Sequence, residues 1–587
     1  MANQPLFTFA IISDTHIRPA ELDQSSPFPV NDLANDRARY AMAMIGAEMP
    51  AFVLHLGDMV HPLPHLPTYK QAAKEAHEIF APLRERMYFM PGNHDIGDKP
   101  NPDAPAGPAD ETTIGQYEAE FGPSYHVFEQ HGICFIMMNS SLVNAGTGEE
   151  AAQRKWLEET LEANKGQRIF LCSHYPPFIY APDEQSHYDN YAEPGRSWLI
   201  GLIRKYAVEA VLSGHVHQFF YNRVDDARLY TFLPTSFIRQ DYSEMYAIEA
   251  PDQYGRNDIG KFGIALVDVF ESGHRIRILP SDGAGLEKGR ELPADRPVWR
   301  RADTAPTPLK VPLRHAWATP IDMPFNGPME EFARKRTRND YTLMRLHQMG
   351  LRQVRVPLTD LLDVQIAERI RAFESTGIRF SYFSLGVPQA AAMEVLNREA
   401  ANVEQLEIVA ASDDLSDISR DLPRLGNLGA IKVIVGKSHS SKHEPKQGSK
   451  FAHSVSSGFK WAARDTVVAG LRGADRDKRI SGLVMQLNLD DELSTALTDI
   501  ETFAAAIDLD IEVNIRLADP NPAIANFDDQ AIARRVREAL EMAPRLRRTT
   551  LQVDTFVDID RGYNPRHGLL DRHYNFRAAG RMLATSD

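Results

Sequence analysis

Five short polar motifs constrain this chain more than any other feature, because each follows closely on an apolar run. Asp14-Thr15-His16 comes after FTFAIIS, and Gly57-Asp58 after FVLHL. Gly92-Asn93-His94-Asp95 comes after MYFM, His174 after IFLCS, and Gly214-His215-Val216-His217 after AVLS. Short runs of Val, Ile and Phe bounded by Gly, Pro, Asn or Asp read as strands. They are placed at Phe7–Ser13, Phe52–His55, Met87–Met90, Gly132–Met138, Arg168–Cys172, Ala210–Ser213 and Phe262–Phe270. Helical segments such as Gln153–Asn164 and Trp198–Tyr206 fall between them. This is a layered α/β pattern, and such sheets place their sites at the carboxyl ends of their strands, where all five motifs stand.

The motif side chains offer oxygen or imidazole nitrogen and no sulfur. That donor set suits divalent or trivalent Mn, Fe, Zn or Co. Asp-x-His and His-x-His put alternate side chains on one side of an extended backbone, so each pair can reach one cation. Asp58 is the natural bridge between two metals. Any one motif alone is commonplace; the five together, in order and at strand ends, are not.

The motifs resemble those of the calcineurin-like metallophosphoesterase superfamily, and the GNHD and GHVH forms are most similar to its class III cyclic-nucleotide phosphodiesterase branch. The resemblance covers about residues 6–280. It implies a two-sheet α/β sandwich flanked by helices. It implies that Asp14, His16 and His217 hold one metal, that Asn93, His174 and His215 hold a second, and that Asp58 bridges them. His94 would lie beside the substrate phosphoryl group, and Asp95 would accept from its ring nitrogen. The implied chemistry is attack of a metal-bridging hydroxide on phosphorus, with His94 protonating the leaving oxygen.

Specificity is expected from the loops around this centre. Tyr175, Tyr180, His187, Tyr188 and Tyr191 form an aromatic group that could stack a base or sugar, with loop packing as the competing role, and His61 and His65 could meet a phosphate, with a surface role as the competitor. No Arg cluster accompanies the motifs, which favours a diester monoanion over a monoester dianion.

The chain has 587 residues, so more than one domain is expected. Residues 1–300 carry 26 Lys and Arg against 41 Asp and Glu, and the remainder 39 of each. A net charge of −15 is a poor non-specific grip on nucleic acid. The only two cysteines, Cys134 and Cys172, lie in apolar runs, which excludes a disulfide scaffold or a cysteine zinc cluster. No positively charged stretch precedes the first apolar run, and no run has the length of a membrane span, so a cytoplasmic protein without a membrane partner is expected.

The expected domains are 1–291, a Pro-rich linker at 292–312, and 313–587. In the last, strands are placed at Ala316–Ile321, Gln353–Val356, Arg379–Phe383, Leu406–Val409, Ala430–Val435, Gly482–Leu487, Ile511–Ile515 and Thr550–Phe556. Helices are placed at Glu330–Met349, Val364–Ser375, Gln389–Glu399, Leu493–Ile507, Gln530–Met542 and Leu569–Leu583. Eight strand–helix units are the arithmetic of a TIM-like (β/α)8 barrel, an open doubly wound sheet being the competitor. A basic loop with Lys437, His439, Lys442, His443, Lys446, Lys450 and His453 could hold an anion, and Arg516, Asp519, Asp554, Asp558, Asp560 and Arg561 follow later strands. The fold alone licenses no activity there.

The function expected is a dinuclear-metal hydrolase of a small phosphodiester, a cyclic nucleotide or a glycerophosphodiester-like compound. A phosphomonoesterase, a bifunctional enzyme with a second activity in the barrel, and a non-enzymatic binding module are the alternatives. A homo-oligomer is compatible with all of them.

Overall fold

The computed structural model describes the chain except residues 1–3, 22–25, 102–103, 105, 247–251, 302–303, 314–316, 326–332, 400–402, 427, 440–455, 476, 519–527, 559–566 and 587. Most of the basic loop at 437–453, together with Asp519, Asp560 and Arg561, therefore lies outside the described residues. The chain divides into two compact units. One comprises 1–297, 301–303 and 320–344; the other comprises 298–300, 304–319 and 345–587.

The first unit is an α/β sandwich of two sheets. One has the order His274–Pro280, Gly263–Val269, Phe7–Ile12, Val53–His55, Met87–Phe89, and its last three strands are parallel. The other has the order His126–Gln130, Ile133–Met138, Arg168–Ser173, Ala210–Ser213, Ala227–Thr231, Phe220–Val224. An aromatic seam joins the two. Phe9 stacks on Phe52 and meets Phe135 and Phe170 edge-on at 5.4 and 5.7 Å, and Phe52 meets Phe135 at 5.1 Å. Edge-to-face rings at these separations add to the area they bury. Helices Gly148–Ala163 and Gly195–Lys205 bury Leu157, Leu161, Leu199 and Ile203 in a further core over the second sheet. Cys134 and Cys172 are buried free thiols.

The second unit is a closed barrel of eight parallel strands. They are Thr307–Pro312, Leu351–Pro357, Arg379–Leu385, Gln405–Ala410, Lys432–His439, Ile480–Leu487, Asp510–Arg516 and Thr549–Asp554, and the last pairs with the first. Its interior is charged. Lys310 pairs with Glu512 at 2.6 Å, and Arg355 with Glu407 at 2.5 Å. Each pair joins strands that are not neighbours, so the side chains meet inside the barrel rather than on its wall. Such interiors are usually layers of branched apolar residues.

Several expectations need correction. The first barrel strand is Thr307–Pro312, inside the stretch read as a linker, and not Ala316–Ile321. Two prolines hid it. Pro308 falls where the register jumps between Thr307 and Lys310, a place where a missing N–H is tolerated. The expected helix Glu330–Met349 is a strand, Arg334–Thr337, followed by a shorter helix, Tyr341–Gln348. The terminal helix is only Ala578–Ala584. Residues 320–344, expected in the barrel domain, belong to the first unit.

Candidate metal centre

The described motif residues converge. Ligand-capable atoms of Asp14, His16, Asp58 and His217 lie within 4.8 Å of one another, and so do those of Asp58, His174 and His215. Asp58 belongs to both groups. All of these side chains are buried.

The backbone that delivers them is left-handed rather than extended. Asp14, His16, Asp58, His215 and His217 have φ between 45° and 67°. Alternation along a strand is therefore not what aligns each pair, as the sequence suggested; a kink at each ligand does. Such conformations cost on the order of 1 kcal/mol each and persist where the surroundings over-determine them. The motif glycines permit the close approach. A Cβ on Gly92 would collide with the Asp58 carboxylate and the His174 ring, and one on Gly214 with Ser13 and Asp14.

Hydrogen bonds set which atom each ring presents. His174 Nδ1 donates to the Leu56 carbonyl at 2.7 Å, which leaves Nε2 facing Asn93 Oδ1 at 3.2 Å and Asp58 Oδ1 at 3.5 Å. His215 Nε2 donates to the Tyr188 carbonyl at 3.3 Å, leaving Nδ1 at 3.0 Å from Asn93 Oδ1. Asn93 Nδ2 donates to the Tyr188 hydroxyl, which fixes the amide with its oxygen inward. His217 Nδ1 donates to the Phe237 carbonyl at 2.6 Å, so its Nε2 faces His16 Nε2 at 3.0 Å and Asp14 Oδ1 at 3.2 Å.

The result is acceptors facing acceptors, which is unfavourable unless a cation stands among them. The electrostatics agree. Burial lowers His16 and His215 well below the usual imidazole range, which keeps both rings neutral, the form a metal ligand needs. Burial alone would raise Asp58, but the rings of His174 and His94 outweigh it and hold its carboxyl well below the usual range. Burial would likewise lower His174, yet the charge of Asp58 lifts it to about 9, so without a cation a proton on Nε2 takes the cation's place beside that carboxylate. That field favours positive charge between them. The donor set of carboxylate, amide oxygen and imidazole fits hard-to-borderline divalent or trivalent ions.

His94 is half-buried at the edge of this group. Its backbone N–H donates to Asp58 Oδ1 at 2.8 Å, and its ring lies 4.6 Å from that of His16. Its Nδ1 donates to the His61 carbonyl at 2.5 Å, and its ring joins those of His16 and His61 in a further group of ligand-capable atoms within 4.8 Å of one another. Asp95 does not serve as expected. Its carboxylate accepts from the backbone N–H groups of Gly92, Met59 and Val60 and so clamps two motif loops together. Burial and the charge of Asp58 push it up to about 7.

The residues expected to touch substrate are mostly packed into the walls. Tyr175 is buried, its ring 4.1 Å from His215 and its hydroxyl donating to Asp98. Tyr188 is buried against His215. His187 is buried beside Glu184 and Phe325. Tyr180 is partly exposed under the Arg338 guanidinium. His61 stands with its ring 5.3 Å from that of His94.

Buried cations do stand near the centre, although no Arg cluster accompanies the motifs. Arg239 and Lys335, distant in sequence from the motifs, meet around Asp189, whose Oδ1 lies 3.9 Å from His215 Nε2. Both are also paired with Asp241. Asp189, Arg239, Asp241 and Lys335 escaped the sequence reading because none belongs to a motif. Four charged residues buried together are visible only in the fold.

Residues 7–219 match the model of the calcineurin-like phosphoesterase family. The serine/threonine-protein phosphatase CPPED1 of Danio rerio is 29% identical over 177 residues, 29% of this chain and 54% of that protein. CPPED1 of Bos taurus is 26% identical over 178 residues, again 29% and 54%. The chain thus spans about half the length of these relatives. Among solved structures, GAP50, the anchor in the inner membrane complex of Plasmodium, matches at 14% identity and a TM-score of 0.29, over 48% of this chain and 87% of that one.

Proposed function

The first unit carries a calcineurin-like phosphoesterase domain at residues 7–219, and from that premise we propose that the protein is a metal-dependent phosphoester hydrolase acting on a small phosphodiester. The observation that carries this reading is the convergence of buried acceptors on two adjoining points that share Asp58. Asp14, His16, Asp58 and His217 would hold one cation, and Asp58, Asn93, His174 and His215 a second. Bound there, two cations polarise the phosphoryl oxygens and supply an activated water.

The chain's own residues do the rest. The carbonyls of Leu56, Tyr188 and Phe237 hold three imidazoles in the tautomer that presents a lone pair inward. Asp95 fixes the backbone from which Asn93 and His94 project. The His61 carbonyl holds the Nδ1 proton of His94, so His94 Nε2 is the atom that, in the imidazolium form, would give its proton to the leaving oxygen and keep the Nδ1 proton.

The diester reading rests on the form of the GNHD and GHVH motifs, and on the neutralisation of Arg239 and Lys335 by Asp189 and Asp241. Cations so paired offer little to a second phosphate charge. A phosphomonoesterase is the second reading, favoured by the name of the CPPED1 relatives. The test is turnover of bis(p-nitrophenyl) phosphate and p-nitrophenyl phosphate in parallel with added Mn²⁺, with His94→Ala as control. Faster turnover of the diester, lost in the variant, is expected. Faster turnover of the monoester would replace the diester reading, and no turnover of either would remove both.

A further inference from the structure

Residues 320–344 leave the barrel's chain order and join the metal-binding unit. They follow the first barrel strand, Thr307–Pro312, and precede the second, Leu351–Pro357. Strands Ile321–Pro324 and Arg334–Thr337 pair antiparallel, with Met323 opposite Lys335. The Lys335 side chain is 1% exposed. It donates to Asp189 Oδ2 and, at 2.5 Å, to Asp241 Oδ2, and it lies 4.2 Å over the Tyr242 ring. Arg239 bridges the same two carboxylates, and Tyr242 donates its hydroxyl to Asp189 at 2.8 Å. Two cations and two anions close a neutral cluster away from water.

The cluster sits directly behind a metal-facing ring. Asp189 follows Tyr188, whose carbonyl accepts from His215 Nε2 and whose hydroxyl orients Asn93. The rest of the segment grips the neighbouring backbone. Arg338 donates to the carbonyls of Tyr180 and Tyr221, Asp340 accepts from Tyr221 N–H at 2.9 Å, and the Tyr341 hydroxyl donates to Gln218, next to His217.

We propose that Lys335 is a positioning residue of the metal centre. By anchoring Asp189 it holds the Tyr188 carbonyl and hydroxyl in place, and so keeps His215 Nδ1 and Asn93 Oδ1 turned to one cation. The proposal rests on the reading of His215 and Asn93 as ligands. It makes the phosphoesterase site discontinuous in sequence, completed by a hairpin that the chain inserts after its first barrel strand.

The sign of the effect separates positioning from charge. Removing a nearby positive charge would by itself tighten the binding of a cation. Loss of a group that orients a ligand typically weakens metal binding about 10- to 100-fold. The test titrates Mn²⁺ into the metal-stripped full-length protein by calorimetry, well below its unfolding temperature. The wild type is expected to bind two ions. Lys335→Met should weaken one of them at least tenfold and leave the other within about twofold, and Lys335→Arg should recover most of the loss.

Lys335→Met leaves an uncompensated buried carboxylate, so the charge-balanced pair Lys335→Met with Asp241→Asn covers the case in which the single variant does not fold. Unchanged or tighter Mn²⁺ binding in a folded variant, even with a lowered melting temperature, would overturn the proposal and leave Lys335 a purely structural residue. A wild type that binds no Mn²⁺ would overturn the metal-centre reading itself, which is a different failure.

Discussion

Asp58 and His94 stand side by side and are expected to fail differently. Asp58 belongs to both ligand groups, so Asp58→Ala should strip bound metal as well as turnover. His94 donates its backbone N–H to the Asp58 carboxylate, a bond that an alanine keeps. His94→Ala should therefore hold its metal and lose about 10²–10⁴ in kcat, the usual worth of a positioned acid. Metal content by mass spectrometry beside kcat checks both; loss of metal from His94→Ala would place the ring among the ligands. The residue scale is also where the motifs speak most directly. Its seven ligand candidates converge because each is tied to a strand end. It misread Asp95, since nothing in the string GNHD says that three backbone N–H groups from two loops will claim that carboxylate.

At the scale of elements, Glu209 links the two sheets of the first unit. It precedes strand Ala210–Ser213 and receives Arg168 Nε at 2.6 Å and Nη2 at 2.8 Å from the start of the neighbouring strand. From the opposite sheet comes His274 Nδ1 at 2.6 Å, and Arg168 also donates to the Phe270 carbonyl. Burial alone would raise this carboxyl, but the bonds from Arg168 and His274 outweigh it and hold it at about 2, against an ordinary 4.5. A depressed carboxyl stabilises the fold above its unfolded value and ceases to as the pH falls through its folded value. Glu209→Gln should thus cost about 1.5–3 kcal/mol at pH 7, the worth of charged hydrogen bonds. The gap from wild type should close between about pH 4.5 and pH 2. Urea unfolding across that range measures it; a gap independent of pH would mean that the carboxylate charge is not what binds the sheets. Strands of this unit were legible because apolar runs end at turn residues. The first barrel strand was not, because Pro308 and Pro312 imitate a linker while Leu309 and Val311 are buried in the wall.

For the molecule as a whole, the barrel's charged interior is its distinctive feature. Glu512 is buried between Lys310 and Gln405, and its charge is held below the usual carboxylate range against the pull of burial. Removing one partner of such a pair leaves the other uncompensated, so Glu512→Ala should destabilise the second unit by about 3–5 kcal/mol. Chemical denaturation should show one transition moving to lower denaturant. Phosphoesterase turnover, measured below that transition, should be retained if the chemistry resides in the first unit. Unchanged stability would mean that Lys310 finds water instead.

By itself the sequence determined the class of both units and named the candidate ligands that the fold gathers. Period, turn residues and donor chemistry are local properties, and each motif carries its own strand end. Only the tertiary structure decided which ring nitrogen each histidine presents, why the Asp-x-His and His-x-His pairs point inward, and that Lys335 closes a buried ion cluster with Asp189 and Asp241. Those depend on partners 20 to more than 200 positions away, such as Phe237 for His217 or Asn93 for His215. A buried charge is tolerated only where its counter-charge arrives, and Lys335 stands 146 positions from Asp189 and 94 from Asp241.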